Sequence, residues 1–271
     1  MARRRRSFGL ALGGGAARGI AHLGVLKALE ERGLRADLVA GTSAGSIVGA
    51  LYAGGHSYSD VAEIVRTVDW NDLVQPCLPR LGLVRADKLE RRVDELLGGR
   101  SFDELDIPFA AVAVDLVSGT EVVISDGNVA AAVRASCSIP GIFEPVVDGS
   151  RVLVDGGVLN DVPADVALSM GADCVLAVDL NSDMLSPRVP ESVFQVIIAS
   201  FSVLARARHQ QALDDPRVIT VTPRLAEYPY HNMKPVDELI EAGLVATAAE
   251  IHRLMKKLRR PALSGPAPTV H

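Results

Sequence analysis

Short apolar runs alternate with helical stripes of apolar residues along the first part of the chain. Residues 8–12 form an apolar run that ends in glycines, and the apolar positions after it recur at helical spacing until Gly33. A second run at 37–40 leads into the glycine-containing turn 41–45 and a helical segment at 46–52. This pattern predicts a β-α-β-α unit in which each strand ends at a turn rich in small residues.

The remaining apolar segments continue the alternation of strands and helices. The predicted elements are strands at 109–116 and 121–124 joined by a Ser-Gly turn, a strand at 151–154, a helix at 164–170, a strand at 174–179, a helix at 193–213, a strand at 218–221 and a helix from Val236 to Leu258. Such alternation favours the α/β class, with a mainly parallel central sheet covered by helices on both faces. The hairpin is expected at a mixed edge of that sheet.

The length of 271 residues suits one large α/β domain. We expect a basic N-terminal tail at 1–7, the domain at 8–260 and a disordered tail rich in proline and small residues at 261–271. The arginines at 3–6 resemble a twin-arginine export signal, but the glycines at 13–15 interrupt its apolar segment. A solvated tail is therefore expected, and contact of this basic patch with anionic lipid headgroups remains the alternative.

The overall charge and the cysteines narrow the class of protein. A net charge of -5 argues against nucleic-acid binding, which usually needs a clustered basic surface. No apolar segment is long enough to predict a transmembrane helix. Cys77, Cys137 and Cys174 have neither metal-site nor disulfide spacing, which favours a reducing compartment. We therefore expect a soluble cytoplasmic protein, with peripheral contact to a membrane left open.

The glycines at 13–15 are compatible with two functions, nucleotide binding and oxyanion stabilisation. A dinucleotide-binding loop needs Gly-x-Gly-x-x-Gly after a strand and a carboxylate at the end of the next strand. In the register that ends at Gly19, the middle position is Ala16, and the next strand ends at Ser43 without a carboxylate. A Walker loop would require Gly-Lys-Ser or Gly-Lys-Thr, which does not follow the glycines. The alternative is a loop whose backbone N–H groups bind the oxyanion of an acyl transfer.

The turn after the second predicted strand favours oxyanion stabilisation. Gly41-Thr42-Ser43-Ala44-Gly45 has the form Gly-x-Ser-x-Gly between a strand and a helix, which is the form of a nucleophile elbow. In such an elbow a strained turn lifts the serine hydroxyl off the sheet, and small neighbours relieve crowding. An ordinary turn built from the same residues is the alternative. We name Ser43 as the candidate nucleophile and Gly41 and Gly45 as the elbow glycines.

The glycine loop should face this turn, because a right-handed βαβ crossover brings the carboxyl ends of both strands to one edge of the sheet. Glycines expose backbone N–H groups to a nearby ligand, and acyl transfer needs such donors where the oxyanion forms. The dipole of the following helix would also favour negative charge at the serine. The expected oxyanion-hole donors are the N–H groups of Gly14, Gly15, Ala16 and Ala44.

The serine also needs a proton acceptor. His209, His231 and His252 follow Asp155 in the order found in α/β-hydrolases, but only His231 has a loop context. Asp155 ends an apolar strand and precedes Gly156 and Gly157, which allow a tight turn. Because a carboxylate is an intrinsically weak base, Asp155 would need partial burial. Asp155 is the preferred base, a histidine base and a merely structural Asp-Gly-Gly turn being the alternatives.

These three motifs, in this order, resemble those of the patatin-like phospholipase family, particularly its short bacterial members. Residues 14–19 are similar to the family's oxyanion loop, 41–45 to its nucleophile elbow and 155–157 to its Asp-Gly-Gly base motif, while 135–140 resembles a further block of small residues ending in proline. The resemblance implies a three-layer sandwich, a Ser-Asp dyad without histidine, lipid acyl hydrolysis, and neither a metal nor a cofactor. Arg18 and Gly19 would then support the loop.

The expected function is a serine esterase that cleaves acyl esters of phospholipids or lysophospholipids. Its partner is the lipid acyl ester substrate. An acyltransferase, or a non-catalytic lipid- or protein-binding module on the same fold, are the alternatives that the sequence leaves open. Product analysis with competing acceptors would distinguish a hydrolase from an acyltransferase.

One residue departs from the family pattern, because Ala16 stands where the third glycine of the loop is expected. A negative φ at this position would let alanine keep its N–H donor at little cost, whereas a positive φ would distort the loop. We expect the negative φ.

Overall fold

The computed structural model describes residues 5–77, 80–182, 196–197, 199–200, 203 and 212–259. The predicted tail at 261–271 lies outside these residues, and so does most of the helix predicted at 193–213. Residues 5–7 of the predicted basic tail are not simply solvated. Arg5 pairs with Asp37, and the backbone N–H of Ser7 donates to Asp173 at 2.8 Å.

The secondary structure alternates between strands and helices over most of the described chain. The strands are β1 Phe8–Leu12, β2 Leu38–Thr42, β3 Gln75–Pro76, β4 Val84–Arg85, β5 Phe109–Asp115, β6 Thr120–Ile124, β7 Val146–Asp148, β8 Arg151–Asp155, β9 Cys174–Val178 and β10 Val218–Val221. The helices are α1 Ala21–Glu30, α2 Ala44–Ala53, α3 Tyr58–Thr67, α4 Trp70–Leu73, α5 Asp87–Leu97, α6 Val129–Ser136, α7 Ala164–Ser169 and α8 Val236–Leu258. Short 3₁₀ helices occupy Ala16–Ile20, Phe102–Glu104 and Gly156–Val158.

The main sheet has eight strands and is mainly parallel at its centre. Its order is β10-β9-β1-β2-β5-β8-β7, with β6 paired to β5 outside this path. The pairs from β10 to β5 are parallel, whereas β6, β8 and β7 join by antiparallel pairing. The prediction of an α/β fold with a hairpin at a mixed edge is confirmed.

The strand side chains divide between two apolar layers. Along β1, Leu10 and Leu12 belong to one core cluster while Ala11 belongs to the other, as the two-residue period of a strand requires. The first layer includes Leu26 of α1, and the second includes Val166 of α7. Helices therefore cover both faces, as predicted.

Two strands meet end to end along one edge of β5. Val112 pairs with Thr42 at the end of β2, and the next residue, Ala113, pairs with Asp155 at the end of β8. The opposite edge of β5 is taken by β6. Because β2 is parallel and β8 antiparallel to β5, their carboxyl ends converge on the same point.

Helix α1 packs directly against α8 through a pair of glycines. A Cβ on Gly24 would lie 1.9 Å from the carbonyl oxygen of Ile240, and a Cβ on Gly243 would lie 1.9 Å from that of Ala21. The two backbones can approach this closely only without side chains at the crossing. The helix predicted from Val236 to Leu258 thus exists, and it packs against α1, the edge strand β10 and the neighbouring strand β9.

Four helices, α3, α4, α5 and α6, were not predicted from the sequence. The signal for α3 was present as Ser57-Tyr58-Ser59-Asp60, in which the Ser57 hydroxyl accepts from the Asp60 N–H and the Asp60 carboxylate accepts from the Ser57 N–H. This reciprocal pair is a capping box. It marks the start of a helix whose apolar side lines a cavity.

Candidate active site

Ser43 occupies a sharp turn between β2 and α2. Its φ of 51° and ψ of -124° lie outside the usual regions for a non-glycine residue. The turn is tightly packed, since a Cβ on Gly45 would lie 2.1 Å from the carbonyl oxygen of Leu12. Only glycine therefore fits at position 45. Because α2 begins directly after Ser43, the positive end of its dipole faces the serine.

Hydrogen bonds hold this turn from both sides. The Ser43 N–H donates to the Ser136 hydroxyl at 2.9 Å, and that hydroxyl donates in turn to the Val112 carbonyl at 2.6 Å. The Ser46 hydroxyl donates to the Ser43 carbonyl at 2.6 Å. The sequence singled out the block at 135–140 only by resemblance. The structure gives Ser136 a physical role there, because it links the serine turn to β5.

Asp155 ends β8 beside the Ser43 turn, because Thr42 and Asp155 pair with consecutive residues of β5, and the nearby Ser43 side chain favours the ionised form of its carboxyl. The Asp155 Oδ1 atom accepts from the Gly157 N–H at 2.8 Å, and the Asp155 N–H donates to the Ser138 carbonyl at 2.9 Å. Only 6% of Asp155 is exposed. Burial raises the pKa of this carboxyl to about 6, against the opposing effects of the Ser43 side chain and the Gly157 N–H.

Among the described residues, no histidine is hydrogen-bonded to Ser43 or Asp155. His231 and His252 are exposed, and His209 lies outside the described residues. His22 is fully buried, and its Nε2 lies 2.8 Å from the Gly13 carbonyl. Burial lowers the pKa of His22 to about 4, so the ring is neutral and its Nε2–H donates to that carbonyl. His22 therefore supports the glycine loop from α1.

In the glycine loop, the Gly14 N–H is not available as the oxyanion donor that the sequence predicted. The Gly14 N–H donates to the Asp161 carbonyl at 3.0 Å and is therefore already engaged. The N–H groups of Gly15, Ala16 and Ala44 have no acceptor among the described residues. Three of the four predicted N–H groups thus stay available, and Gly14 instead anchors the loop.

The expected negative φ at Ala16 is wrong, because its φ is 48°. The chain turns sharply here, from the extended loop into a 3₁₀ helix whose next N–H, that of Ala17, donates to the Tyr230 carbonyl at 3.0 Å. A left-handed alanine costs about 1–2 kcal/mol relative to the usual conformation. Ala16 and Ser43 are the two non-glycine residues with positive φ in the described part of the chain. Such strain is typical of functional sites.

Arg18 is buried and ties the loop to the segment after β10. Its Nε donates to the Tyr228 carbonyl and its Nη1 to the Tyr230 hydroxyl, both at 2.9 Å. The guanidinium also lies 4.1 Å from the centre of the Tyr230 ring, which adds a cation–π contact. Gly19 packs against α2, where a Cβ would lie 2.5 Å from that of Ala44. The sequence could not identify Tyr228 or Tyr230 as partners, because they are more than 200 residues away.

An apolar cavity of about 150 Å³ opens beside Ser43. Ser43 and Ala44 form part of its lining, together with apolar side chains of α1, α2, α3 and α5. Arg92 is the only charged side chain that lines it among the described residues. The cavity can therefore hold a flexible apolar group next to the serine hydroxyl.

Two further features bear on cofactors and membranes. Within the described residues, no cluster of three or more histidine, cysteine, aspartate or glutamate side chains could hold a metal ion. None of the helices in the same part of the chain has both the length and the apolar character required to cross a membrane.

The fold resembles two solved structures. VipD from Legionella pneumophila aligns over 94% of this chain and 66% of its own, with a TM-score of 0.58 and 14% identity. The structure of full-length ExoU with full-length SpcU from Pseudomonas aeruginosa aligns over 95% of this chain and 54% of the matched chain, with a TM-score of 0.54 and 16% identity. At these identities the likeness concerns the fold alone.

Sequence comparisons give closer relatives. An uncharacterised NTE family protein of Mycobacterium tuberculosis is 38% identical over 180 residues, covering 66% of this chain and 50% of that protein. A second one from the same organism is 32% identical over 273 residues, covering 91% of this chain and 46% of that protein. The patatin-like phospholipase domain-containing protein 6 of Mus musculus is 38% identical over 65% of this chain and 14% of that protein. The chain thus spans half or less of the length of these relatives.

The family model of patatin-like phospholipases matches residues 10–168. This range contains the glycine loop, the Ser43 turn and Asp155, which the fold brings together at one edge of β5. With more than half of the sequence matched, the chain belongs to the patatin-like phospholipase family.

Proposed function

We propose that the chain is a serine esterase that cleaves acyl esters of phospholipids or lysophospholipids, with Ser43 as nucleophile and Asp155 as general base. The observation that carries this proposal is the proximity of the Ser43 side chain to the buried Asp155 carboxyl, at the point where β2 and β8 meet along β5. A nucleophile in contact with its base, at the head of a helix, is the arrangement that acyl transfer needs. The lipid substrate is supported by the family and by the apolar cavity beside Ser43.

In the first half of the reaction, Ser43 Oγ forms a bond to the ester carbonyl carbon while its proton passes to Asp155. The tetrahedral intermediate then expels the alcohol, which takes the proton from Asp155 and leaves the acyl group on Ser43. In the second half, a water molecule gives its proton to Asp155 and attacks the acyl carbon. The fatty acid leaves as the proton returns to Ser43 Oγ.

The raised pKa of Asp155 suits this role. With a value of about 6, the carboxyl is mostly ionised at neutral pH and is a better base than an exposed aspartate. Its ionised form is the one that accepts the Ser43 proton. The positive end of the α2 dipole favours the negative charge that develops at the serine.

The free N–H groups near Ser43 are the proposed oxyanion donors. Those of Gly15 and Ala16 come from the glycine loop, and that of Ala44 comes from the first turn of α2. In other enzymes the removal of one such donor costs about 2.7–4 kcal/mol of transition-state stabilisation. Gly14 is left out of this set because its N–H is held by Asp161.

The cavity beside Ser43 is the proposed site of the acyl chain. Each methylene group buried there stabilises the bound ester by about 0.8 kcal/mol, or about fourfold in binding. Val61, Ile64 and Val65 of α3 and Leu89, Val93 and Leu96 of α5 supply apolar lining. A long acyl chain is therefore preferred over acetyl.

Ser43→Ala and Asp155→Asn test the dyad. Each is expected to lower the kcat for a chromogenic acyl ester by at least about a thousandfold, because each removes one partner of the proton transfer. The folded state is checked by circular dichroism and thermal unfolding. Ser59→Ala and Asp148→Asn, at exposed positions, are the matched controls and should keep wild-type rates. Wild-type activity in either dyad variant would refute the assignment.

Val65→Trp tests the acyl site. The indole should fill part of the cavity and raise the KM for long-chain esters at least about tenfold, with little change for an acetyl ester. Val245→Trp adds the same side chain at an exposed position of α8 and serves as the control. An equal effect on esters of all chain lengths would place the acyl chain elsewhere.

Ala16→Gly tests the strained loop. Glycine relieves the positive φ and keeps the N–H group, so the free energy of unfolding should rise by about 0.5–1 kcal/mol after the entropy cost of glycine is counted. Ala17→Gly, one residue on in the 3₁₀ helix, should lower it by about 0.5–1 kcal/mol. Urea unfolding measures both, and ester hydrolysis should persist in Ala16→Gly. Destabilisation of both variants to the same extent would contradict the strained conformation.

A further inference from the structure

Asp161 is a buried acidic residue that the proposed reaction does not use. Its backbone carbonyl accepts from the Gly14 N–H at 3.0 Å, and its Oδ2 accepts from the Asn181 amide at 2.8 Å. The same amide nitrogen lies 3.2 Å from the Gly14 carbonyl. Asp161 and Asn181 therefore hold Gly14 through both of its backbone polar groups.

The carboxyl of Asp161 faces the dyad. The position that a Cβ on Gly14 would take is 2.6 Å from Asp161 Oδ1 and 3.3 Å from the Cβ of Ser43. The corresponding position on Gly157 is 3.1 Å from Asp155 Oδ1 and 3.3 Å from Asp161 Oδ1. The Asp155 and Asp161 carboxyl groups thus both lie next to Gly157, and the Asp161 carboxyl and the Ser43 side chain both lie next to Gly14.

A chain of hydrogen bonds links Asp161 to Arg18. The Tyr230 hydroxyl donates to the Asn181 Oδ1 at 3.1 Å and accepts from the Arg18 Nη1 at 2.9 Å. Each residue of this hydrogen-bond network also contacts the glycine loop or the 3₁₀ helix that follows it. Arg18 belongs to that helix, the Tyr230 carbonyl accepts from the Ala17 N–H, and the Asn181 amide donates to the Gly14 carbonyl. The network therefore sets the position of the loop whose N–H groups are the proposed oxyanion donors.

The charges around Asp161 disfavour a second carboxylate. Asp155 approaches from the end of β8, and Asp179 follows β9, where its Oδ1 accepts from the Asn181 N–H. The Tyr230 hydroxyl and the Asn181 side chain lie between Arg18 and Asp161. Burial, opposed by the Asn181 hydrogen bond and reinforced by Asp179 and Asp155, raises the pKa of Asp161 to about 8.

We infer that Asp161 is a positioning residue whose backbone carbonyl holds the glycine loop, that its buried carboxyl must stay neutral for turnover, and that ionisation of this carboxyl shuts the enzyme down at alkaline pH. This inference rests on the proposed function. The physical reason is electrostatic: an Asp161 carboxylate would put a negative charge beside the ionised base and beside the place where the oxyanion forms. Both effects oppose the attack by Ser43.

The pH dependence of ester hydrolysis tests this inference. In the wild type, kcat/KM should rise to a plateau as Asp155 ionises near pH 6 and fall by about tenfold per pH unit once Asp161 ionises near pH 8. Asp161→Asn preserves the shape and neutrality of the side chain, so its kcat/KM, whatever the height of its plateau, should no longer fall at alkaline pH. Asp179→Asn should move that fall to lower pH, because it removes a charge that raises the Asp161 pKa.

Thermal unfolding supplies a readout that needs no activity. A folded-state pKa raised above the unfolded value means that the wild type loses stability relative to Asp161→Asn as pH rises from about 4 to about 8. The difference in Tm between Asp161→Asn and the wild type should therefore grow in favour of the variant over this window and level off above it.

The results separate the inference from the proposed function. An alkaline fall that persists unchanged in Asp161→Asn, or a Tm difference that does not vary with pH, overturns the role of Asp161 while leaving the dyad intact. A wild type without hydrolysis at any pH, combined with the predicted trend in Tm, overturns the proposed function and the catalytic role of Asp161 with it. The alkaline fall abolished only by Asp161→Asn, together with that trend, supports the inference.

Discussion

The end-to-end meeting of β2 and β8 along one edge of β5 brings together residues that are more than 100 positions apart. Since consecutive residues of β5 pair with Thr42 and Asp155, the hydroxyl of the next residue, Ser43, can reach the Asp155 carboxylate. The same junction lies beside the glycine loop and is largely buried, which raises the Asp155 pKa. Position and basicity of this carboxyl thus have one structural origin.

The junction requires backbone strain, which the surrounding hydrogen bonds stabilise. Ser43 and Ala16 both adopt positive φ, at a cost of about 1–2 kcal/mol each. Ser136 and Ser46 hold the Ser43 turn, and Arg18 anchors the helix that follows Ala16. These contacts fix the serine and the free N–H groups before any substrate binds, which is the condition for effective oxyanion stabilisation.

Local patterns in the sequence predicted much of the fold and the principal site residues. The strand at 218–221 has the predicted bounds, β1 and β2 lie where the apolar runs place them, and the motif at 41–45 forms a strained turn. Helices α3, α4, α5 and α6 were not predicted, although α3 carries a recognisable capping box. The predictions of a negative φ at Ala16 and of Gly14 as an oxyanion donor were wrong because of distant residues. The Tyr230 carbonyl accepts from the first turn of the 3₁₀ helix, and the Asp161 carbonyl accepts from the Gly14 N–H. No local pattern contains those contacts.

Covalent labelling of the serine is the most direct test of the account. Intact-protein mass spectrometry after treatment with an alkyl fluorophosphonate should show one added phosphonyl group on the wild type and none on Ser43→Ala. Asp155→Asn should react far more slowly, because the hydroxyl then lacks its proton acceptor. A wild type that stays unlabelled, or a Ser43→Ala variant that labels as fast as the wild type, would contradict Ser43 as the nucleophile.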